Sequence, residues 1–599
     1  MPTTINGEDV RAILNRARLP SQQNNLTPSP EDWRDCWIYF LMVDRFNNPS
    51  GPSQAQFDAK FGGFQGGTIE GMRQKLAYLK NLGVGAVWFT PVLKNCQFLD
   101  GQPNRGTYHG YGIQNFLDID PRLASDSQNP AEELRRFVDD AHAIGIYVIF
   151  DIVLNHTGDV FAYPSGSQAP FSATAYDPVH WRDDKGNARL DWTSAEAISD
   201  PPLDATVYPD EVRRNDFFRR QGAPSPAGPE TIGDFASLKQ LLTANYRLGN
   251  VLIRCFQYLI AAFDIDGFRI DTLKYLDRDF ALRFGNAIRE FALSVGKKNF
   301  FTYGEVYDDE EKISQYIGRN VSASGDMVGV DASLDFPLFF RLPSVLKGLS
   351  PPSDVVAMYQ VRKTVENGVI SSHGEATRFF VTFLDNHDQH SRFYYSDGVD
   401  PHRFDDQATM GIACLFALPG IPSLYYGTEQ GLHGSGDSDE NVREALWGQP
   451  QAFDETHPFY VMIQRLVEVR RQQPALRYGR FYFRPISGNG FEFGVSPFAG
   501  GVLAFSRILN DQEVLVVANT NTQVAFAGWV LVDSSLNPPG SRFEMLFANR
   551  QPSVSPGPVS ETGPAEIHEV DGTVSTGPAC VVSVNVQPMQ VQILGQSVG

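Results

Sequence analysis

Short, continuous hydrophobic runs alternate with amphipathic stretches along most of this chain. The runs WIYFLMVDRF (37–46), GVGAVWFTPV (83–92) and IYVIFDIVLNHT (146–157) are typical of strands that are buried on both faces. Between them, the spacing of apolar residues predicts helices over 69–82 and 131–143. Strands that alternate with helices in this way predict a parallel sheet covered by helices.

The same alternation continues to residue 475 and predicts eight strands in total. The later strands are predicted at 265–271, 299–306, 327–336, 378–388 and 420–431, and the helices around them at 238–263, 277–294, 353–366, 405–418 and 458–473. Eight such units predict an α/β fold, a (β/α)8 TIM barrel, whose active site lies at the carboxyl ends of the strands.

Other parts of the chain depart from this alternation. A short amphipathic helix is predicted at 8–18, and a segment rich in Pro, Asp, Ser and Gly predicts a small domain inserted after the third strand. Beyond Pro474, alternating β patterns predict an antiparallel β-sandwich that contains a long loop at 550–579. The predicted domains are 1–32 (N-terminal helix and linker), 33–157 (first part of the barrel), 158–230 (inserted domain B), 231–475 (second part of the barrel) and 476–599 (C-terminal β-sandwich).

The composition is that of an ordinary globular protein, and the net charge argues against some classes of binding partner. The 70 acidic and 50 basic residues give a formal net charge of −20, which argues against nucleic acid or an anionic membrane as a partner. No secretory signal and no apolar run of about 18 residues is seen, so we expect a cytoplasmic protein, or a secreted one if a signal was removed. The five cysteines are far apart and are predicted to be buried thiols. The sequence gives no indication of the oligomeric state.

Ionisable residues concentrate at the carboxyl ends of the predicted strands. In DIDGFRIDTLKY (264–275), Arg269 precedes Asp271 by two residues, so both side chains point to the same side of a strand. A neighbouring guanidinium lowers the pKa of a carboxylate and keeps it ionised, as a nucleophile requires, although a structural salt bridge is an equally good interpretation of these residues alone. The whole set is Asp151, Asn155 and His156 at the end of strand three, Arg269, Asp271, Lys274 and Tyr275 at the end of strand four, Glu305 at the end of strand five, and His387 and Asp388 at the end of strand seven.

Three carboxylates at one barrel mouth favour glycoside chemistry. Asp271 is the predicted nucleophile. Glu305 has no cationic neighbour in sequence, and burial on a strand favours the protonated form that an acid/base catalyst needs. Asp388 is predicted to stabilise positive charge at the sugar ring. Four more residues are predicted to contact the sugar: Tyr111 by stacking, and His109, His156 and His387 through hydroxyl groups.

Five motifs resemble those of glycoside hydrolase family 13, the α-amylase family, over roughly residues 33–475. They occur in the family's order: DIVLNHT (151–157), GFRIDTLKY (267–275), GEVYD (304–308), FLDNHD (383–388) and GIPSLYYGTEQG (420–431). The resemblance implies a retaining mechanism in which Asp271 forms a covalent glycosyl-enzyme, Glu305 acts as acid and then as base, and Asp388 stabilises the transition state. It places further residues in the substrate site: Arg269, His156, His387, His109 and Tyr111.

The resemblance also bears on the substrate. Lys274 matches a lysine with which α-amylases and related glucanotransferases contact sugar beyond the cleaved bond, whereas Tyr275 stands where the family often has a histidine. We therefore expect an α-1,4-glucan or a malto-oligosaccharide as substrate. The chemistry itself requires no cofactor.

A structural calcium ion is a further implication of the resemblance. The family's site usually takes Asn155, a carboxylate of the inserted domain and backbone carbonyls. Here Ser237 stands where an aspartate is expected, and Asp204 or Asp234 is the candidate substitute. The alternative role for Asn155 is a hydrogen bond that braces the inserted domain.

Three functions remain open from the sequence. A hydrolase and a transglycosylase, including trehalose- or cyclodextrin-related activity, share every catalytic residue and differ in whether water or a sugar reaches the intermediate. A non-catalytic carbohydrate-binding protein on the same fold would lack catalytic carboxylates, whereas all three are present here. The C-terminal domain is predicted to cover the barrel, and starch binding is its alternative role, although Trp529 is its only tryptophan.

Overall fold

The computed structural model describes residues 2–19, 24–50, 62–103, 107–226, 228–322, 325–366, 368–551 and 554–596. The residues outside these ranges fall in all five predicted domains, and they include 20–23 of the N-terminal linker, 227 of the inserted domain and 552–553 of the C-terminal loop.

Eight short parallel strands form the central sheet. They are β1 Ile38–Leu41, β2 Ala86–Phe89, β3 Tyr147–Val153, β4 Gly267–Asp271, β5 Phe301–Gly304, β6 Ala332–Ser333, β7 Val381–Thr382 and β8 Ile421–Tyr425. Their order is β6-β5-β4-β3-β2-β1-β8-β7, and a parallel bridge between Leu334 and Val381 joins the two end strands. The predicted barrel is therefore confirmed.

The sixth and seventh strands are shorter than predicted. The sequence favoured a strand over 327–336, but residues Gly325–Val328 pair with Arg319–Ser322 as an antiparallel hairpin, so that only Ala332–Ser333 joins the barrel. A hairpin satisfies its backbone hydrogen bonds locally and removes those residues from the parallel sheet. In the seventh unit, Ala376–Phe379 forms a 3₁₀ turn before β7.

Helices lie between the strands. In the described chain, those of six residues or more are α1 Glu8–Ala17, α2 Ile69–Gln74, α3 Leu76–Leu82, α4 Pro130–Ala143, α5 Tyr246–Phe263, α6 Arg278–Ser294, α7 Ser353–Val365, α8 Asp405–Ala417 and α9 Pro458–Gln472. Shorter ones are Val43–Phe46, Glu310–Ile313, Phe336–Phe339, Leu342–Leu346 and Ala475–Tyr478. None of the described helices is both long and apolar enough to cross a membrane.

Two predicted helices differ from those observed. The helix predicted over 69–82 is interrupted at Lys75, where the backbone leaves helical geometry. The helix predicted over 238–263 begins only at Tyr246, because the side chain of Asn245 caps it by accepting from two backbone N–H groups. Residues Lys239–Gln240 instead pair with the end of the third barrel segment.

The C-terminal region contains two packed antiparallel sheets. The strands of this region are β9 Arg480–Phe483, β10 Ile486–Ser487, β11 Glu492–Phe493, β12 Val502–Leu509, β13 Gln512–Asn519, β14 Phe526–Leu531, β15 Phe543–Ala548, β16 Ser560–Glu561, β17 Ala565–His568, β18 Val574–Gly577, β19 Cys580–Val586 and β20 Val591–Gln596. One sheet has the order β9-β12-β13-β20-β15, the other has the order β10-β14-β19-β16, and a third, smaller sheet has the order β11-β17-β18. Because β16, β17 and β18 lie within 550–579, the loop predicted there is wrong in part.

Aromatic side chains fill the barrel beneath the strand ends. Phe40 and Trp88 stack with ring centroids 3.7 Å apart, and Tyr303 meets Trp88 edge-on. Phe40 also meets the ring of His387. This apolar floor keeps water out and strengthens electrostatic interactions among the groups that lie above it. The five cysteines are all buried and unpaired, as predicted.

Candidate active site

The register of three neighbouring strands brings the central charges together. On β4, Arg269 lies opposite Asp151 of β3 and Tyr303 of β5. Asp271 follows Arg269 by two residues and therefore points to the same side of the strand. Glu305 comes directly after β5, and its backbone N–H donates to the carbonyl of Ile270. The strand pairing itself thus places three carboxylates around one guanidinium.

The guanidinium of Arg269 is the centre of the site. Its Nη1 donates to Asp271 Oδ1 at 2.8 Å and to both carboxylate oxygens of Asp151 at 3.0 and 3.1 Å. Its Nη2 donates to Glu305 Oε2 at 2.8 Å. Arg269 is only 1% exposed, so these are charge-assisted bonds in a dry environment. The prediction that Arg269 and Asp271 lie side by side is correct, but the guanidinium is shared with two further acids.

Thr272 links the predicted nucleophile to the predicted acid/base. Its backbone N–H donates to Glu305 Oε2 at 3.0 Å, and its hydroxyl donates to Asp271 Oδ2 at 3.1 Å. Thr272 has φ 49° and ψ 38°, a left-handed conformation that β-branched residues rarely adopt. The strained turn aims the N–H of Thr272 at Glu305, and the surrounding bonds hold it there.

The electrostatics of Asp271 differ from the sequence prediction. Burial raises the pKa of Asp271 well above its usual value; Arg269 lowers it in part, and charge on Glu305, Asp151 and Asp388 raises it further. Burial likewise raises the pKa of Asp151 to about 6. Arg269 thus acts in the expected direction, but burial outweighs it and the guanidinium is shared with Asp151 and Glu305, so the pKa of Asp271 is raised where a lowered value was expected. Glu305, expected to lack a cationic neighbour, also has one in Arg269.

The raised pKa of Asp271 predicts a displaced acid limb in the pH profile. A nucleophilic carboxylate must be ionised, so activity is lost as the pH falls through its pKa. We expect kcat/KM to decline from a pH clearly above the value of about 3.9 that is usual for aspartate. The measurement is kcat/KM on a malto-oligosaccharide across the acid range, with unfolding followed in parallel to exclude acid denaturation. An acid limb at or below the usual aspartate value contradicts this account.

Tyr111 lies between two of the predicted sugar-binding histidines. Its ring is roughly parallel to those of His109 and His387, with centroids 5.5 and 5.6 Å away. The Tyr111 hydroxyl donates to Asp151 Oδ2 at 3.0 Å and lies 2.7 Å from His387 Nε2. Between His109 and Tyr111, Gly110 has φ 89°, and a Cβ there would meet the carbonyl oxygen of Pro91 at 2.0 Å. Only glycine fits this turn.

Burial favours the neutral form of two of the predicted sugar-binding histidines. Burial lowers the pKa of His156 to about 4 and holds that of His387 well below its usual value. His156 has its ring edge-on to Phe235 at 5.7 Å and its Nδ1 3.4 Å from the amide of Asn155. Neutral imidazoles can both donate to and accept from sugar hydroxyls.

Asp388 lies at the open mouth of the site, with 39% of its side chain exposed. Its Oδ1 accepts from Arg443 Nη2 at 3.1 Å, and Arg443 also donates to the carbonyl oxygen of His387 at 2.9 Å. A third bond runs from Arg443 to the hydroxyl of Tyr108. One guanidinium therefore holds Asp388 and the backbone of His387 in a fixed relation.

Lys274 and Tyr275 lie on the short turn Leu273–Tyr275 beyond β4. Lys274 Nζ donates to the carbonyl oxygen of Tyr307 at 3.2 Å and to Glu230 and Asp308 at 3.4 Å each. Tyr275 packs edge-on against Phe235 at 4.8 Å. Neither residue bonds to the carboxylate cluster. Both form a wall beside it, next to the inserted segment.

The residues expected to hold calcium do not fit that ion. The side-chain oxygen of Asn155 accepts from Gln240 Nε2 at 3.3 Å, Asp204 is paired with Lys94, and Asp234 accepts from the Tyr163 hydroxyl. Calcium needs six to eight converging oxygens, several of them charged. Across the described ranges, no three His, Cys, Asp or Glu side chains converge to hold a metal ion. The observed bond of Asn155 is instead a brace to the segment that closes the insertion.

Sequence reasoning missed several residues of the site. Asp151 was noted at a strand end but received no role, although it binds Arg269, Tyr111 and Trp88. Its position two residues before a strand end was the available signal. Arg443 had no such signal, since it lies 56 residues from His387 and follows no predicted strand.

A family profile and several known proteins are similar to this chain in sequence. The family profile described as "Alpha amylase, catalytic domain" matches residues 40–447. An α-amylase of Streptomyces lividans is 27% identical over 464 residues, and the match covers 70% of this chain and 48% of that protein. A cyclomaltodextrin glucanotransferase of Geobacillus stearothermophilus is 28% identical over 497 residues, and that match covers 81% of this chain and 59% of that protein. The chain thus covers less than two thirds of both relatives.

Solved structures show the same fold. The crystal structure of an α-amylase from Geobacillus thermoleovorans, complexed with acarbose, superposes with a TM-score of 0.62 and 22% sequence identity. The superposition covers 95% of this chain and 99% of that one. At this level of identity the likeness concerns the fold alone.

Proposed function

The chain belongs to the α-amylase family of glycoside hydrolases, and on that premise we propose that it is a retaining glycosidase that cleaves α-1,4-glucans or malto-oligosaccharides. The observation that carries this proposal is the pair of carboxylates, Asp271 and Glu305, joined on one side by Arg269 and on the other by Thr272. Both carboxyl groups therefore reach the same space, where a nucleophile and an acid/base can act on one glycosidic bond, and the retaining stereochemistry is what the family resemblance implies.

The proposed reaction has two steps. In the first, the carboxylate of Asp271 attacks the anomeric carbon while Glu305 gives its proton to the departing glycosidic oxygen. In the second, Glu305 takes a proton from water, and the water oxygen displaces Asp271 from the anomeric carbon. The reaction therefore needs Asp271 in its ionised form and the catalytic proton on Glu305.

The remaining residues of the site orient the sugar and balance its charge. Asp388 stands at the mouth, where a carboxylate stabilises positive charge on the ring and binds hydroxyls, and Arg443 holds it in place. Tyr111 offers a ring face bracketed by two imidazoles. His156 and His387 supply neutral nitrogens. Each of these contacts is in place before the substrate arrives, which lowers the cost of ordering the complex.

Transglycosylation is the second candidate, and the wall beside Glu305 favours it. Phe235 and Tyr275 form an aromatic pair there, half-buried and next to Lys274. Aromatic rings give an acceptor sugar an apolar surface to pack on, which water does not use. The cyclomaltodextrin glucanotransferase among the relatives agrees with such an activity.

Product analysis with maltoheptaose separates the two candidates. Hydrolysis gives only chains shorter than the substrate, whereas transfer also gives longer ones, and we expect shorter chains to predominate. The products are identified by chromatography and mass spectrometry, with soluble starch, maltose and sucrose as further substrates. The Asp271→Asn variant serves as the control for contaminating activity. Predominance of longer chains refutes the hydrolase assignment, and turnover of sucrose or maltose alone refutes the α-1,4-glucan assignment.

A further inference from the structure

A lysine lies fully buried where the inserted segment rejoins the barrel. Lys239 is 0% exposed, and it stands two residues after Ser237, the position at which the family resemblance leads one to expect an aspartate. It pairs with Thr157 in a short antiparallel ladder, in which Gln240 pairs with His156. Burial of a lysine is costly unless its charge is compensated, so its surroundings must supply acceptors.

The ammonium of Lys239 meets the first ten residues of the inserted segment and the chain just beyond its end. Its Nζ lies 3.2 Å from Asp159 Oδ1 and 3.6 Å from Asp234 Oδ2, and it donates to the carbonyl oxygen of Ser167. The ring of Tyr163, with its centroid 4.7 Å from Nζ, faces the same charge. One cation thus joins parts of the chain that are up to 75 residues apart.

The two carboxylates need a cation at this place. Asp159 and Asp234 are 3% and 2% exposed. Burial raises the pKa of both carboxyl groups, and Lys239 opposes that shift. Asp159 has a second cation in Arg182, whose Nη2 lies 3.0 Å away, but among the ion pairs described here Asp234 has Lys239 alone. Without Lys239 the insertion would close around an uncompensated buried charge.

We infer that the ammonium of Lys239 replaces the structural calcium ion which the family resemblance implies, so that this chain holds its inserted segment without a divalent metal. Asn155, which the resemblance would assign to calcium, is bonded to Gln240 beside Lys239 in the same ladder. A covalently attached cation cannot dissociate. The stability of the fold is therefore independent of calcium concentration, whereas a bound ion stabilises only in proportion to its occupancy.

The lysine also acts on the candidate active site through the ladder. Gln240 is paired with His156, and the backbone N–H of Leu241 donates to the carbonyl oxygen of Asn155 at 2.8 Å. Lys239 therefore positions the strand that carries His156. It is a positioning residue, since it touches none of the carboxylates around Arg269.

The test uses thermal unfolding of the full chain and needs no assumption about its activity. We expect the same Tm for the wild type in EDTA and in excess calcium chloride, and no stoichiometric calcium by elemental analysis after dialysis. A Tm that falls in EDTA, or one retained calcium ion per chain, overturns the inference whatever the variants show.

A variant tests the role of the lysine itself. Lys239→Met keeps the length of the side chain but removes the charge, and we expect its Tm to fall by about 5 °C or more. The matched control is Lys185→Met, which removes an exposed lysine from the same inserted segment and should leave Tm unchanged. Equal Tm values for the wild type and Lys239→Met overturn the inference. If Lys239→Met does not fold, the wild-type measurements in EDTA decide.

Discussion

Replacement of Asp271 by asparagine is expected to lower kcat by about 10⁴-fold or more. An amide cannot form the glycosyl ester, so the first step of the reaction is lost. The fold should remain intact, because asparagine has the same shape and its oxygen still accepts from Arg269 Nη1, which lies 2.8 Å from Asp271 Oδ1. Removal of one of three carboxylates around a single guanidinium also relieves repulsion, so Tm should stay constant or rise. Turnover of maltoheptaose and thermal unfolding measure the two effects.

The matched control for this variant is Asp308→Asn. Asp308 is another acid at the barrel mouth, paired with Lys274 at 3.4 Å and partly exposed. It has no part in bond making, so its loss should change kcat only slightly. Near-normal turnover by Asp271→Asn, or an equal loss in both variants, is incompatible with Asp271 as the nucleophile.

Glu305→Gln should lower kcat on oligosaccharides by about 10³-fold or more, but the loss should depend on whether the leaving group needs a proton. A sugar leaving group needs a proton from Glu305, whereas fluoride departs without one. With α-maltosyl fluoride the variant should therefore release fluoride in a rapid first turnover and then stop, since glutamine cannot activate water for the second step. Stopped-flow measurement of fluoride release follows the burst.

The same fluoride substrate separates the roles of the two carboxylates. Asp271→Asn should show no burst, because the bond to the enzyme cannot form. Both variants carry the same carboxylate-to-amide change and differ only in position. A burst in Asp271→Asn together with none in Glu305→Gln would reverse the assignment.

The barrel and its central charges could be predicted because the information is local. Buried strands give continuous apolar runs, and β4 carries Arg269 and Asp271 at the spacing that places them on one side. The order of strands and helices then puts Glu305 on the next strand of the sheet. No contact between distant segments had to be known for these predictions.

The electrostatics could not be predicted, because they depend on residues that are distant in sequence. Arg269 is separated from Asp151 by 118 residues and from Glu305 by 36, and the register of the sheet alone brings these acids to it. The pKa of Asp271 is raised by burial first, and then by the charges of Glu305, Asp151 and Asp388, which share Asp271's surroundings and outweigh what Arg269 offsets. Arg269 and Asp271, taken alone, are one cation beside one carboxylate, whereas the folded site has one cation beside three carboxylates.

The sequence pattern also gave a wrong prediction around Lys239, where a tertiary contact outweighs the helix propensity of the segment. Residues around Lys239 continue an apolar pattern and favour a helix, yet the chain there forms a ladder with His156 and Thr157. The buried ion pairs of Lys239 stabilise this arrangement. Single-sequence reasoning has no means of weighing such a contact against helix propensity.

The most direct test of the account is to locate the covalent intermediate. The Glu305→Gln variant, which should form the glycosyl-enzyme and be unable to hydrolyse it, is treated with α-maltosyl fluoride, digested, and analysed by peptide mass spectrometry. The account predicts a maltosyl group on the peptide that contains Asp271, attached to that side chain. A label on any other residue would contradict this assignment. So would a Glu305→Gln variant that stays unlabelled, if the wild-type enzyme is also found to invert the anomeric configuration of its product.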